Sequence, residues 1–494
     1  MVTGNDLLAV LPFLVAAGGG LLLVLLDALS PPQVSRRFLG SFALVFLAGM
    51  AAAALVGLGR APFPAFGRMV MADDFGRFFT LLFVVAAALA VLVAMGRLPD
   101  QADGRAARGE FYGLLLFATA GASLLSQATD LVTLFIALET LSIPAYILAA
   151  VLRRDERSAE AGLKYFILGA FATGLLIYGI ALLYGAAGST EMAAVAKAAM
   201  AGPWTGNFLL VAGGLLVLAG LIFKISVVPL HMWAPDVYQG APTASTTFFA
   251  TGVKAAAFAA LLRVLTMPLA ELRVGTPGLE SAGWFTLLQG FAIATMTLAN
   301  ITALVQRDVK RLLAYSSIAH AGYLLVGVLC LEEGASAVAF YLLSYTFMTG
   351  GAFALVAYLE HDGTGTGLDD YRGAGRRNPV AAVMLSVFLF SLAGIPPLAG
   401  FFAKFYLFKA AIDQGLLALT IIAVLNSMVS AYYYLRVMVA MYMEPEPAGA
   451  DTPAASPSAP IAVAAVVCLL AVLVLGILPS SFLDLAASSV RALF

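Results

Sequence analysis

Six side chains in this 494-residue sequence are of types that carry protons and stand in apolar runs where such groups are costly. They are Glu139 in LFIALETLSIPAYIL, Lys164 in AGLKYFILGAF, Lys224 in LIFKISVVPLH, Lys254 in APTASTTFFATGVKAAAFAAL, His320 in LLAYSSIAHAGYLLVG and Lys404 in SLAGIPPLAGFFAKFYLF. Taking an ionised side chain to the centre of a bilayer costs roughly 3 kcal/mol on insertion scales, so such groups face protein or water. Desolvation makes a lysine release its proton more readily, and a nearby carboxylate holds the proton on. A Glu/Lys pair whose carboxylate moves or is neutralised is therefore a switch, and Glu139 with Lys164 or Lys224 is a candidate. Lys164 lies close to the basic loop RRDERSAE, where snorkelling to the interface explains it equally well. For the others a structural ion pair is the competing explanation.

Prolines accompany these charges. Pro144 takes away the helical donor of the Thr140 carbonyl beside Glu139, and Pro229 that of Ile225 beside Lys224. Pro396 and Pro397 do the same to Leu392 and Ala393, upstream of Lys404. Interrupted backbone inside a membrane is tolerated only against protein or water, so each proline is expected to break its helix and hold water near a charge. Thr247 and Thr251 share a helical face with Lys254. Ser316, His320 and Tyr323 follow one another at i, i+4 and i+7, a polar stripe able to order a file of water. A lone buried histidine otherwise serves only as a hydrogen-bonding core residue, and His231 suits an interface or helix end.

Bringing such groups together requires long apolar helices, and the composition supplies them. Hydrophobic residues make up 62% and charged residues 11%, with mean hydropathy +0.97, which places the chain among integral membrane proteins. About fourteen runs of roughly 20 apolar residues recur, each able to cross about 30 Å of hydrocarbon as a helix. The expected fold class is an all-α polytopic membrane protein without strands, a single membrane domain over 1–494 with no cleaved leader. Cys330 and Cys468 lie in separate apolar runs, without the spacing of an iron–sulfur or zinc site. A formal net charge of −1 argues against nucleic acid as a partner. Loops after odd-numbered spans collect most of the basic residues, among them Arg36, Arg105, Arg108, Arg153, Arg154, Arg307, Lys310 and Arg311, so both termini are expected outside, in the periplasm. The Gly-, Pro- and Ser-rich stretches 362–378 and 444–460 read as linkers.

The proline-and-lysine spans are the seventh and twelfth, five apart. That spacing suggests a first repeat over 111–267 (helices four to eight) and a second over 281–442 (helices nine to thirteen). With an odd number of helices per unit the second is inverted, each unit holding one broken helix.

The segments FKISVVPLHMWAPDVYQGAPT, VKRLLAYSSIAHAGYLLVG and SLAGIPPLAGFFAKFYLFKAA closely resemble the antiporter-like membrane subunits of respiratory complex I, the proton-pumping NADH–quinone oxidoreductase. Within that family the chain is most similar to the N type: it ends soon after its last span, unlike the L type, and carries Lys404 where the M type has glutamate. The resemblance implies that Glu139 and Lys224 form the coupled pair, with Lys164 assisting. It further implies that Lys254 connects the half-channels, that His320 lies on the polar axis and that Lys404 hands protons to the outside. It also implies partners in the other membrane and peripheral subunits of a bacterial inner-membrane complex, with NADH, FMN, iron–sulfur clusters and quinone on those subunits and no cofactor on this chain. Mrp-type sodium/proton antiporters share the ancestral unit and are the alternative.

Overall fold

A computed structural model describes residues 2–30, 37–101, 109–274, 283–360, 365–446 and 458–494. Arg36, Arg105, Arg108 and parts of both expected linkers lie outside the described residues. The chain folds as α1 (Gly4–Ala9), α2 (Leu11–Leu29), α3 (Arg37–Gly57), β1 (Phe63–Ala65), β2 (Val70–Ala72), α4 (Asp74–Gln101), α5 (Gly109–Gln127), α6 (Leu131–Ala149), α7 (Glu156–Ala187), α8 (Met192–Met200), α9 (Phe208–Lys224) and α10 (Trp233–Gly240). It continues through α11 (Thr243–Phe248), a π turn (Phe249–Val253), α12 (Lys254–Thr266), α13 (Trp284–Leu304), α14 (Val309–Val328) and α15 (Leu331–Leu359). The last elements are α16 (Ala374–Arg377), α17 (Pro379–Ala393), α18 (Ala399–Asp413), α19 (Leu417–Tyr442), α20 (Ala459–Ile477) and α21 (Pro479–Val490).

Among the described residues eleven helices are long and apolar enough to cross a membrane, counting Thr243–Thr266 as one. The short hairpin β1–β2, paired antiparallel from Phe63↔Ala72 to Ala65↔Val70, departs from the expectation of no strands. It sits in the connection before α4, and Asp6 of α1 ties it down: its Oδ1 accepts the Phe66 N–H at 2.6 Å. That bond, with those from Thr3, holds the Asp6 carboxyl below the usual carboxylate range.

Burial follows composition. The Thr243–Thr266 span is buried from Thr243 to Leu265; the alanines of α12, Ala255 to Ala257 with Ala259 and Ala260, let α4, α5 and α9 close around it, while α15 packs against α11 and the π turn. At the periphery, α7 turns Leu163, Phe166, Ile167 and Phe171 outward, as a lipid-facing or partner-facing helix does. One fully buried ion pair crosses the core: Arg263 at the end of α12 reaches Asp73, just before α4, with Nη2 at 3.1 and 2.9 Å from the carboxylate oxygens, while its Nε donates to the Ser126 carbonyl at 2.9 Å.

A capping device occurs twice. Asp130 caps α6 by accepting from the Val132 and Thr133 amides and receives the Thr190 hydroxyl at 2.6 Å, while the Leu131 amide bonds the Thr190 carbonyl. Asp308 caps α14 through the Arg311 amide, receives the Thr366 hydroxyl at 2.6 Å, and the Val309 amide bonds the Thr366 carbonyl. Each threonine follows the next long helix, α7 in one case and α15 in the other.

Candidate functional site

Two helices are interrupted where prolines were expected to interrupt them. After Lys224, the last residue of α9, Ser226 takes a positive φ of 61° and Val228–Pro229 is cis before the chain re-enters helix at Trp233. The exposed backbone is taken up across the fold: the Trp233 indole donates to the Phe223 carbonyl at 3.0 Å, and the Val228 amide donates to the Thr295 hydroxyl at 3.1 Å. In the second break α17 ends at Gly394 (φ 92°), and Pro396–Pro397 is cis before α18. Gly400 is required there, since a Cβ would lie 1.8 Å from the Ser391 carbonyl oxygen. Pro144 behaves differently: α6 runs straight through it, so this proline does not break its helix. Packing of Leu141, Pro144 and Ala145 in the core holds the turn in place despite the missing donor.

Both break lysines are buried, and both ammonium groups sit at the C-terminal end of the first half-helix, where the backbone dipole favours a cation: Lys224 is the last residue of α9, whereas Lys404 reaches the end of α17 from α18. Lys224 donates to the Ser142 hydroxyl at 2.9 Å, with its ammonium 5.2 Å from the Tyr146 ring centre and 4.9 Å from that of Tyr165. Lys404, on α18, reaches back to the carbonyls of Leu392 (3.1 Å) and Ala393 (3.0 Å), the two that Pro396 and Pro397 leave without helical donors, and to the Ser427 hydroxyl (2.8 Å). Beside it opens a cavity of about 510 Å³ walled by Phe401, Phe405, Phe408, Val424 and Met428.

Glu139 is half-buried on α6, and its Oε1 accepts the Thr173 hydroxyl of α7 at 2.8 Å. Lys164 stands apart from this pair. Its ammonium is partly exposed and binds Glu160 at 2.6 Å and Asp236 at 2.7 Å. Asp236, on α10, also binds Arg311 of α14 at 2.6 Å, so one carboxylate joins both halves of the chain. Lys310, counted with the loop charges in the sequence, is instead buried, its ammonium 2.7 Å from the Ala241 carbonyl where α10 ends.

Between the breaks, Lys254 donates to both the carbonyl and the hydroxyl of Ser317, with the Tyr345 ring centre at 5.4 Å. Thr243, Thr247 and Thr251 climb the same buried span towards it, and the Thr243 hydroxyl donates to Glu360 at 2.7 Å. The stripe on α14 meets tyrosines. His320 contacts the Tyr341 hydroxyl through Nδ1 at 2.5 Å and the Tyr434 hydroxyl through Nε2 at 3.2 Å, and Tyr434 also bonds Ser316. The Tyr323 hydroxyl receives the Asn300 side-chain N–H at 3.1 Å, and its ring lies 5.1 Å from the Lys404 ammonium. Buried hydroxyls and amides thus lie between the central lysine and the second break.

Several of these partners were not singled out from the sequence. Ser142 and Tyr146 follow Glu139 at i+3 and i+7, a same-face signal that was present. Thr173, Tyr341, Tyr434, Asn300 and Asp236 reach the site from other helices.

A family of membrane regions described as NADH:quinone oxidoreductase/Mrp antiporter matches residues 128–430. NADH-quinone oxidoreductase subunit N of Trichlorobacter lovleyi is 44% identical over 98% of this chain and 97% of its own length. A chain of respiratory complex I from Thermus thermophilus, solved with bound aureothin, is 38% identical over 96% of this chain and 99% of that chain, with a TM-score of 0.79. A chain of the Mrp complex from a Dietzia species shares the fold, with a TM-score of 0.84 over 99% of this chain and 98% of that chain at 21% identity. The chain belongs to the NADH:quinone oxidoreductase/Mrp antiporter membrane family, among its NADH-quinone oxidoreductase N subunits.

Proposed function

We propose that this chain is a proton-translocating membrane subunit of a bacterial inner-membrane NADH–quinone oxidoreductase. Electron transfer from NADH through FMN and iron–sulfur clusters to quinone takes place on partner subunits, and this chain moves protons. The observation that carries the reading is the pair of broken helices, each with a buried lysine at its break, joined through Lys254 and a run of buried hydroxyls around His320. Glu139 and Lys224 form the entry pair, Lys254 and His320 the connection, and Lys404 the exit. Lys164 acts at the mouth, where Asp236 and Glu160 hold it.

About fourteen spans result when three elements are added to the eleven long apolar helices: the broken pairs α9–α10 and α17–α18, and α14, whose basic first turn and polar stripe lower its hydropathy. Helices four to eight (111–267) and nine to thirteen (281–442) then form two inverted repeats. The doubled Asp/Thr cap supports this division, because Asp130 heads the fifth span and Asp308 the tenth. An even number of spans and basic residues after the odd-numbered ones support termini on the outside.

The alternative is a redox-independent Mrp-type antiporter, supported by the shared membrane family and by likeness of fold. In assembled complex, Lys224→Ala or Lys404→Ala is expected to abolish most NADH-driven proton translocation. Translocation at the parental rate in both variants would remove the lysines from the path.

A further inference from the structure

The entry pair of the proposed pathway is not a direct ion pair. Among the described residues no salt bridge joins Glu139 to Lys224, although each has a short bond to a hydroxyl. The Thr173 hydroxyl donates to Glu139 at 2.8 Å, and Lys224 donates to the Ser142 hydroxyl at 2.9 Å. Beside both hydroxyls stands that of Tyr146, one turn from Ser142 along α6 and packed against α7 at Gly169, one turn from Thr173. We propose that Tyr146 is the proton-transferring link between Glu139 and Lys224, seated there because Gly169 leaves room for its hydroxyl.

Three features place that hydroxyl. Tyr146 stands on α6 on the face that carries Glu139 and Ser142. Its ring packs edge-on against Tyr165, with centroids 4.7 Å apart, and Tyr165 in turn stacks on Trp233 at 4.4 Å, so the ring is held by the far side of the first helix break. Opposite, on α7, a Cβ at Gly169 would lie 2.2 Å from the Tyr146 oxygen and 2.6 Å from the carbon bearing it. Gly169 and Thr173 are one helical turn apart on α7: the first makes the space and the second stands one turn from what fills it.

The transfer balances atom by atom. Ser142, whose hydroxyl now donates to the Leu138 carbonyl at 2.6 Å, turns its hydrogen towards Tyr146. A proton then leaves the Lys224 ammonium for the Ser142 oxygen, and Ser142 passes its own to Tyr146. Tyr146 passes its own to Thr173, and Thr173 passes its own to Glu139. Lys224 has lost one proton, Glu139 has gained one, and each hydroxyl is again neutral. The opposite direction uses the same groups. Rotation of Ser142 away from Leu138 and approach of the Tyr146 hydroxyl to Ser142 and Thr173 are the steps that open the line.

This link rests on the reading of Glu139 and Lys224 as the entry pair, and the test separates the two. Proton uptake driven by NADH oxidation is measured in membrane vesicles holding the assembled complex. NADH oxidation by an artificial acceptor that bypasses quinone gauges the amount of complex. Tyr146→Phe keeps the ring, its packing and its 5.2 Å contact with the Lys224 ammonium while removing only the hydroxyl. Uptake is expected to fall about tenfold or more, at or below the ~10²–10⁴-fold contribution of a positioned proton-transfer group, because water fills part of the gap. Thr173→Val is expected to give a similar fall, and the double variant one no larger than the worse single, since a line broken once is already broken. Gly169→Ala displaces the hydroxyl and is expected to lower uptake as well. Uptake at the parental rate in Tyr146→Phe, or losses in Tyr146→Phe and Thr173→Val that multiply in the double variant, would overturn the link. If Glu139→Gln blocks uptake while Tyr146→Phe does not, only the link fails; if Glu139→Gln pumps normally, the entry pair itself is misassigned.

Discussion

Replacing Asp73 by alanine would leave the Arg263 guanidinium buried at 2% exposure with the Ser126 carbonyl and the Phe75 ring as its remaining company. Two charge-assisted bonds, at 3.1 and 2.9 Å, disappear together. Removing one partner of a buried pair typically costs about 3–5 kcal/mol, most of it the penalty of the stranded charge rather than the worth of the bond. At 1.4 kcal/mol per tenfold, that raises the open population roughly 10²–10⁴-fold. The double replacement Asp73→Ala with Arg263→Met removes the stranded charge and keeps apolar volume, so it is expected to recover most of the loss. Cys468, buried on α20 beside α4, provides the reporter. Its alkylation in assembled complex, followed by mass spectrometry as temperature rises, reads opening of this region. Asp73→Ala should label at a distinctly lower temperature than the parent and the double variant close to it. Equal labelling of single variant and parent, or a double variant as labile as the single, would refute the reasoning that the stranded charge is what costs.

Lys404→Arg keeps a cation at the second break but replaces a group that can release its proton with one that does not, so proton translocation should fall at least about tenfold with assembly retained; translocation at the parental rate would argue that Lys404 only braces the break. Gly400→Ala sets a methyl against the Ser391 backbone oxygen and disturbs the Gly400 amide bond to the Ser391 hydroxyl at 3.1 Å, so α17 and α18 must part at a cost of about 1–3 kcal/mol, seen as less assembled complex on native gels. Because the folded Asp6 carboxyl is held below its ordinary range, its contribution is complete above the unfolded carboxylate pKa and lost as pH falls through the folded value. Hydrogen exchange at the Phe66 amide, corrected for intrinsic rates, should therefore become less protected on acidification into that window, and Asp6→Asn should weaken the dependence.

Much of the candidate site is legible in the chain because intramembrane charge and proline are rare enough to stand out. The freed carbonyls of Leu392 and Ala393 follow from the two prolines alone, though not that Lys404 would bind them. Periodicity reveals which residues share a face, as with Ser316, His320 and Tyr323, but not which helix lies opposite. Tyr341 and Tyr434, which meet His320, and Thr295, which caps the first break, come from distant segments. Proline is also an imperfect sign: Pro144 stays within helix because its neighbours are packed, whereas Pro229 and Pro396 accompany a real turn of the chain. Lys310 looks like loop charge because it follows Asp308 in a polar stretch, yet it is buried against the end of α10. Arg263 and Asp73 are 190 residues apart, too far for local pattern to pair them.

The arrangement at Lys404 ties donor number to helix shape. An ammonium has three N–H groups, and the side chain meets three acceptors: the carbonyls of Leu392 and Ala393 and the hydroxyl of Ser427. A neutral amine has only two, so a proton leaving Lys404 along the proposed pathway would leave one acceptor unserved, a deficit of about 1–3 kcal/mol applied directly to the end of α17. In that pathway the break would be a mechanical read-out of occupancy: loaded, its two halves are stitched together by one side chain; emptied, a stitch would be missing, and the backbone around Gly394 would have reason to shift or admit water until the next proton arrived.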